Sequence, residues 1–361
     1  MPTEIFFGRD CVSAYGERLK ALGHSALIVT GKSSKINGAL GDLCIALDKN
    51  GQTYTVFDRV KPNPTIACVR EGIALLKSAN ADFIVGLGGG SPMDAAKAIA
   101  LLAVADRADE DVFSGGYGIY ALPMAHIPTT AGTGSEVTPY AILTNDVQET
   151  KTSITSPALF PKFAFLDGKY LKNAPRSTLI YPALDAFSHA VEGILSRKGN
   201  EISNNFACES LKVLYPILKK MSVTAPIEND LDALLYASML AGITIAQSGT
   251  TAVHGMGYYL TYFYGIDHGR ANALLLGETL KLCKKKDVSL LGKIEDACKE
   301  SADEICVVLD RLLGKREDIP KDRLLDFAKH SVFNKNIKKS AYEPTPEEIK
   351  HIYLRSFCKN D

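Results

Sequence analysis

The sequence predicts an α/β domain with a parallel sheet, followed by an all-α domain. Two observations support this prediction. Short apolar runs alternate with helix-length segments in the first half, which is typical of βαβ units. Apolar residues recur at helical spacing in the second half, with few strand signals between the helical segments.

The predicted strands of the first half are short and end at turn residues. They lie at residues 25–30, 52–57, 81–87 and 124–128. A hairpin-like stretch over residues 141–166 follows the last of them. We therefore expect a Rossmann-like sheet in this half.

The predicted helices of the second half cover residues 184–196, 205–221 and 231–247. The segment LKNAPRSTLI, residues 171–180, combines a proline with Ser/Thr helix-start signals. It is the expected junction, with domains at 1–177 and 178–361. The 361 residues suffice for two domains of ordinary size.

Composition restricts the classes of partner. The 41 basic residues balance the 41 acidic ones. The chain thus lacks the excess of positive charge that is typical of proteins that bind nucleic acid. The longest almost uncharged apolar stretch, residues 234–246, is too short to span a bilayer and is expected as a buried helix. The N-terminus does not resemble a secretory signal, and the eight cysteines lack paired short spacings. We expect a cytoplasmic protein with no membrane partner.

A glycine-rich segment, VGLGGGSPMDAAKAIA, follows the third predicted strand. Gly89 and Gly90 allow close backbone approach, and a helix is expected to begin with Ser91 as N-cap and Pro92 as first helical residue. Free amides at a helix start favour a pyrophosphate, and Asp94 is expected within reach of a ribose hydroxyl. Neither the usual dinucleotide fingerprint nor a Walker loop is matched, so a tight strand-to-helix turn without a ligand is the alternative.

A second loop, IPTTAGTGSEVTP, follows the strand at 124–128. Its small residues are interspersed with the hydroxyl groups of Thr129, Thr130 and Thr133. The two loops lie about forty residues apart in the sequence. Together they indicate one extended ligand, a dinucleotide.

The turn after the first predicted strand bears on the choice of cofactor. NAD-specific sites commonly carry a carboxylate there that repels a 2′-phosphate. This chain instead has Gly31, Ser33, Ser34 and Lys35. The turn therefore favours NADP(H) over NAD(H), although a Gly-Lys-Ser-Ser turn can equally be a helix cap.

Four residues of the second half form a candidate metal site. Asp185 and His189 are four apart on a predicted helix and project from one face. His254 and His268 follow in later segments. One carboxylate and three imidazoles suit Fe²⁺ or Zn²⁺. The alternative for the first two is an ordinary surface pair, but their apolar neighbours would make an unpaired Asp costly to bury.

The sequence resembles the iron-containing (group III) alcohol dehydrogenase family over nearly the whole chain. The resemblance lies in the order and spacing of the motifs GGGSPMDAAK, IPTTAGTGSE, LDAFSHAVEG and VHGMGYY, the last followed by DHGRAN. The resemblance implies a dehydroquinate synthase-like fold with a dinucleotide domain and a helical-bundle domain. It implies that Asp185, His189, His254 and His268 bind the metal. It also implies that the two loops contact the cofactor, that Lys151 approaches its ribose, and that the protein forms a homodimer.

The chain departs from the family pattern at one catalytic position. Many relatives carry a second histidine four residues after the third ligand, where this sequence has Tyr258. Proton transfer is then expected through ordered water, through the cofactor ribose hydroxyls or through Tyr258 itself. Where NAD-preferring relatives have Asp after the first strand, this chain has Gly31.

These observations predict an oxidoreductase, a metal-dependent NAD(P) alcohol dehydrogenase. We expect it to transfer a hydride between NADP(H) and a small primary alcohol or diol, with the aldehyde as the other substrate. A zinc-dependent glycerol dehydrogenase-like enzyme and a non-catalytic nucleotide-binding protein of the same fold are the alternatives. Relatives of the glycerol dehydrogenase type lack the helical histidine corresponding to His189.

Overall fold

The computed structural model describes residues 2–105 and 107–358. The chain divides into two compact units, Met1–Pro175 and Arg176–Asp361. The first is the α/β unit and the second is helical. The predicted fold class is confirmed. The predicted boundary after residue 177 falls in the first turn of the helix Arg176–Ile194.

The α/β unit contains a six-stranded sheet in the order β1-β8-β5-β4-β2-β3, with every described pair of neighbours parallel. Its strands are β1 (Glu4–Phe7), β2 (Ser25–Thr30), β3 (Thr53–Phe57), β4 (Phe83–Gly88), β5 (Met124–Pro128) and β8 (Phe163–Leu166). A separate antiparallel hairpin contains β6 (Tyr140–Asn145) and β7 (Thr150–Thr155). The hairpin predicted over 141–166 therefore ends earlier, because its last segment joins the parallel sheet between β1 and β5.

Helices cover both faces of this sheet. They are α1 (Cys11–Tyr15), α2 (Ser33–Ile36), α3 (Ala39–Asn50), α4 (Ile66–Ser78) and α5 (Gly90–Leu102). Leu27 and Ile84 pack towards α4 and α5, whereas Ile28 and Phe83 pack towards α1 and α3. Burial on both faces explains why the central strands are almost continuously apolar.

The start of α5 differs slightly from the prediction. The helix begins at Gly90, with the extended Gly89 as N-cap, so Ser91 lies inside the first turn. Instead of capping, the Ser91 hydroxyl accepts a hydrogen bond from the Asn63 backbone N–H at 3.2 Å. Pro92 still falls in the first turn, where its missing N–H costs nothing.

The helical unit is built around three long helices, α6 (Arg176–Ile194), α7 (Glu201–Met221) and α8 (Glu228–Ser248), which pack against one another. The remaining helices are α9 (Ala252–Tyr264), α10 (His268–Lys286), α11 (Val288–Cys298), α12 (Ala302–Leu313), α13 (Lys321–Ser331) and α14 (Pro346–Phe357).

One helix in the described part of the chain, α8, is long and apolar enough by composition to cross a membrane. It includes the apolar stretch at residues 234–246. Most of that stretch is buried, and α8 packs against α6 and α7. It is thus a core helix of this unit, as the sequence predicts.

Candidate metal centre and cofactor-binding loops

The four predicted metal ligands come from three helices of the helical unit. Asp185 and His189 lie one turn apart on α6, within a run that is buried from Ala183 to Ile194. His254 is in the first turn of α9. His268 is the first residue of α10. The helices thus carry donors from distant parts of the sequence into one region.

The donor atoms of the four side chains converge. One ligand atom from each of Asp185, His189 and His254 lies within 4.8 Å of the other two. The Nε2 atoms of His189 and His254 are 3.0 Å apart. Asp185 Oδ1 is 3.5 Å from His254 Nε2 and 3.8 Å from His268 Nε2. The structure therefore brings together all four residues proposed from the sequence.

This donor set fits a divalent cation. Two imidazole nitrogens at 3.0 Å must share a proton or a cation, because two lone pairs facing each other repel. Nitrogen ligands bound at about 2.1 Å to the same ion lie roughly this far apart. One carboxylate oxygen and three imidazoles suit iron or zinc better than magnesium or calcium, which prefer oxygen ligands.

The electrostatics of the buried donors are strongly coupled. Burial alone would raise the pKa of Asp185, but His189, His268 and His254 hold it well below its ordinary value. Burial opposes the charge on His254, yet Glu192 and Asp185 raise its pKa to about 9. The carboxylate is thus kept in the ionised form that a metal requires.

Two further polar residues at the cluster were not singled out from the sequence. Glu192, on α6, is fully buried and contacts His254 Nδ1. Asn272, on α10, donates from Nδ2 to Asp185 Oδ1 at 2.9 Å. Each lies three or four residues after a predicted ligand on the same helix, so helical spacing was the available signal.

Tyr258 forms part of the wall of this cluster. Its ring stacks on His268, with centroids 5.4 Å apart and an interplanar angle of 16°. It meets His254 edge-on at 6.3 Å. The residue that replaces the family's usual second histidine is therefore beside two of the four donors.

In the α/β unit, the two predicted cofactor loops are in contact. The Thr129 backbone N–H donates to the Gly88 carbonyl at 2.8 Å. A Cβ at Gly89 would lie 3.1 Å from Thr130 Oγ1, and one at Gly90 only 2.5 Å from Thr133 Cγ2. A side chain at Gly90 would displace the side chain of Thr133, because the second loop packs directly against the start of α5.

A buried polar network lies behind these loops. Lys97, on α5, is fully buried and donates to Ser135 Oγ at 2.9 Å and to the Thr138 and Tyr140 carbonyls at 2.7 and 2.8 Å. Ser135 in turn donates to Asp94 Oδ1 at 2.8 Å. The sequence interpretation did not identify Lys97. This network ties α5 to the second loop and to the hairpin.

Burial dominates the pKa values of this network. It lowers the pKa of Lys97 to about 8, although Asp94 and Glu136 act in the opposite direction. It raises the pKa of Asp94, while Lys97, Ser135 and Lys151 lower it. Asp94 is thus engaged with Ser135. Lys151, on β7, lies near enough to act on the Asp94 carboxylate.

The turn after β2 divides the predicted cofactor residues into two groups. The Ser34 hydroxyl is buried and bonds to Thr30 Oγ1 at 2.6 Å and to the Leu87 carbonyl at 3.3 Å, so it stabilises the turn. Lys35 is exposed and pairs with Asp58 at 2.9 Å. Gly31 is half-buried and Ser33 exposed.

Comparison with known proteins gives matches along most of the chain. Residues 2–168 match the model for iron-containing alcohol dehydrogenase, and residues 179–357 match that for the C-terminal part of the Fe-containing alcohol dehydrogenase family. The chain is 30% identical to alcohol dehydrogenase 4 of Schizosaccharomyces pombe, over 98% of this chain and 87% of that protein.

Two further similarities agree with these matches. The chain is 33% identical to 1,3-propanediol dehydrogenase of Citrobacter freundii, over 76% of this chain and 72% of that protein. The crystal structure of an iron-containing alcohol dehydrogenase from Thermotoga maritima superimposes with a TM-score of 0.92. It is 36% identical and covers 99% of this chain and 98% of its own.

Proposed function

The chain belongs to the iron-containing alcohol dehydrogenase family, and from this premise we propose that it is a metal-dependent alcohol dehydrogenase and aldehyde reductase. The observation that carries the proposal is the convergence of the buried Asp185, His189 and His254, with the partly exposed His268 3.8 Å from the Asp185 carboxylate. A retained binding scaffold without activity would not need to preserve all four donors.

The proposed metal is Fe²⁺, with Zn²⁺ as the other ion compatible with these donors. A divalent cation held by the four side chains would act as a Lewis acid that lowers the pKa of an alcohol hydroxyl and polarises an aldehyde carbonyl. Asp185 supplies the negative charge, and the imidazoles supply neutral donors. Tyr258, stacked on His268 and edge-on to His254, forms an aromatic wall beside two of the four donors.

The proposed cofactor is NADP(H). The contacting loops at Gly89–Gly90 and Thr129–Thr133 offer backbone amides and hydroxyls for a pyrophosphate. The exposed Ser33 after β2, with no carboxylate in the turn itself, supports acceptance of a 2′-phosphate. A 2′-phosphate would compete with Asp58 for Lys35. A nicotinamide cofactor held by these loops would supply hydride transfer to and from the carbinol carbon.

The proposed substrate is a small primary alcohol or diol, or the corresponding aldehyde. A propanediol dehydrogenase among the relatives supports this size class, as does the aromatic wall at Tyr258. We further propose that the protein acts in the cytoplasm, and that it forms a homodimer, as the family resemblance implies. The described cysteines are free thiols, which suits a reducing compartment.

The test is an anaerobic assay of short-chain alcohols, diols and aldehydes with NAD(H) and NADP(H), after loading with Fe²⁺ or Zn²⁺. We expect metal-dependent turnover, with higher kcat/KM for NADP(H). Equal activity of the metal-stripped protein would contradict the proposed role of the metal. Faster turnover with NAD(H) would contradict only the cofactor preference.

Replacing His254 by Ala should abolish metal retention and lower kcat by on the order of a thousandfold, because several kcal/mol of charge stabilisation are lost. Binding of NADP(H), followed by fluorescence, should persist because the loops lie in the other unit. His330→Ala is the matched control, since this histidine is on α13 of the same unit and 61% exposed. Elemental analysis and steady-state kinetics measure both effects.

A further inference from the structure

Glu192 is a buried carboxylate with a complete set of hydrogen-bond donors. It is fully buried on α6, in the turn after His189. Its Oε1 accepts from the Thr251 backbone N–H at 2.8 Å and from the Thr251 hydroxyl at 2.9 Å. Its Oε2 contacts His254 Nδ1. These contacts tie α6 to the first turn of α9.

The contact with His254 determines which ring nitrogen is available to a ligand. An ionised carboxylate can only accept hydrogen bonds, so His254 Nδ1 must carry the hydrogen. In the neutral ring, Nε2 then bears the lone pair. Nε2 is the atom that lies 3.0 Å from His189 Nε2 and 3.5 Å from Asp185 Oδ1. Glu192 therefore directs the donor nitrogen of His254 into the cluster.

Thr251 holds the carboxylate in place for this task. Its two donors engage one oxygen, which leaves the other oxygen for the imidazole. The His254 backbone N–H also approaches Oε1, at 3.3 Å. The Glu192 carboxylate thus holds both the Nδ1 side of the imidazole and the backbone N–H of His254.

We propose that Glu192 is a positioning residue that fixes the tautomer and orientation of His254, and thereby sets the affinity of the cluster for its divalent metal. This inference rests on the proposed function, since it assigns a role toward the same metal site. Partners of this kind typically contribute 10- to 100-fold to metal affinity.

The test compares Co²⁺ binding by the purified full chain and its Glu192→Gln variant. Gln keeps the size of the side chain but presents an NH₂ group in place of one oxygen. If this NH₂ group faces His254 Nδ1, the ring must accept there and carry its hydrogen on Nε2, which blocks the donor position. We expect Co²⁺ to bind about 10- to 100-fold more weakly in competition with a chelator, with a changed visible absorption spectrum.

Two controls separate positioning from general destabilisation. Ser210→Ala removes a buried hydrogen bond of 2.8 Å between α7 and α8, two helices that carry none of the four donors, and should bind Co²⁺ as the unaltered protein does. The Tm of each metal-free protein reports the structural cost. If Glu192→Gln does not fold, Glu192→Asp keeps the charge but withdraws the oxygen, and it should also weaken Co²⁺ binding.

Unchanged Co²⁺ affinity and spectrum in a folded Glu192 variant would overturn the inference while leaving the proposed function intact. Failure of the unaltered protein to bind Co²⁺ would instead count against the metal site itself. Equal weakening in Ser210→Ala and Glu192→Gln would show a general packing effect and would also overturn the positioning role.

Discussion

The buried carboxyl groups of this protein lie in two different electrostatic environments. In the helical unit, Asp185 and Glu192 are ionised because imidazoles and backbone donors face them. In the α/β unit, Glu136 is 2% exposed, and burial raises its pKa to about 7 despite nearby Lys97. A carboxyl group with such a pKa takes up a proton near neutral pH, so it makes stability depend on pH.

Glu136→Gln should remove part of the dependence of stability on pH. The folded pKa of Glu136 is about 7 against an ordinary 4.5, so the folded state binds a proton that the unfolded state has released. The free energy of unfolding therefore falls as pH rises from about 4.5 to about 7. As pH rises from 5 to 7.5, the free energy of unfolding of the variant should therefore increase by up to roughly 3 kcal/mol relative to that of the unaltered protein.

Urea unfolding at the two pH values measures this difference. The exposed Glu110→Gln is the control, and it should show no comparable change. A constant difference between Glu136→Gln and the unaltered protein at both pH values would show that Glu136 ionises normally. Lys97, Asp94 and His126 are present in both proteins, so the comparison measures the Glu136 carboxyl group together with its effect on the neighbouring Lys97.

At the scale of helices, the site depends on how closely α10 approaches α6. A Cβ at Gly269 would lie 1.9 Å from the Tyr181 carbonyl oxygen and 2.9 Å from Asp185 Cβ. Gly269 directly follows His268 at the start of α10. The absence of a side chain there allows the third imidazole to come within 3.8 Å of the Asp185 carboxylate.

Gly269→Ala should push the start of α10 away from α6, because the overlap is with backbone and cannot be relieved by rotating a side chain. We expect a loss of about 1–3 kcal/mol of stability and weaker metal retention. Gly277→Ala, on the same helix, is the matched control. A Cβ at Gly277 would have Cys306 Sγ as its nearest neighbour at 3.5 Å, which is an ordinary contact. Ala also favours the helix over Gly by up to about 1 kcal/mol. Thermal unfolding and elemental analysis measure the stability and the bound metal of both variants. Equal stability and metal content in the two variants would show that position 269 tolerates a side chain.

At the scale of the whole molecule, the candidate sites are divided between two compact units. The four candidate metal donors, with Glu192 and Asn272, belong to Arg176–Asp361. The glycine and threonine loops, with the Lys97 network, belong to Met1–Pro175. Each set of contacts is therefore formed between residues of one unit.

Metal binding should stabilise the folded protein by mass action, because the unfolded chain does not hold the four donors together. A free Co²⁺ concentration one hundred times the dissociation constant adds about 2.7 kcal/mol and should raise Tm by several degrees. Asp185→Asn removes the negative charge of the cluster and should abolish most of the rise. Differential scanning calorimetry checks this, and an equal rise in both proteins would indicate Co²⁺ binding elsewhere.

Local patterns in the sequence determined the alternation of strands and helices, the two candidate cofactor loops and the candidates for metal binding. Glycine runs, apolar periodicity and the spacing of Asp185 and His189 act over a few residues, so they can be read directly. Only the tertiary structure decided the positions of β1 and β8 in the sheet, the convergence of His254 and His268 on α6, and the contact between Glu192 and His254 across 62 residues. Such contacts depend on how helices and strands pack against one another, and no local pattern specifies that packing.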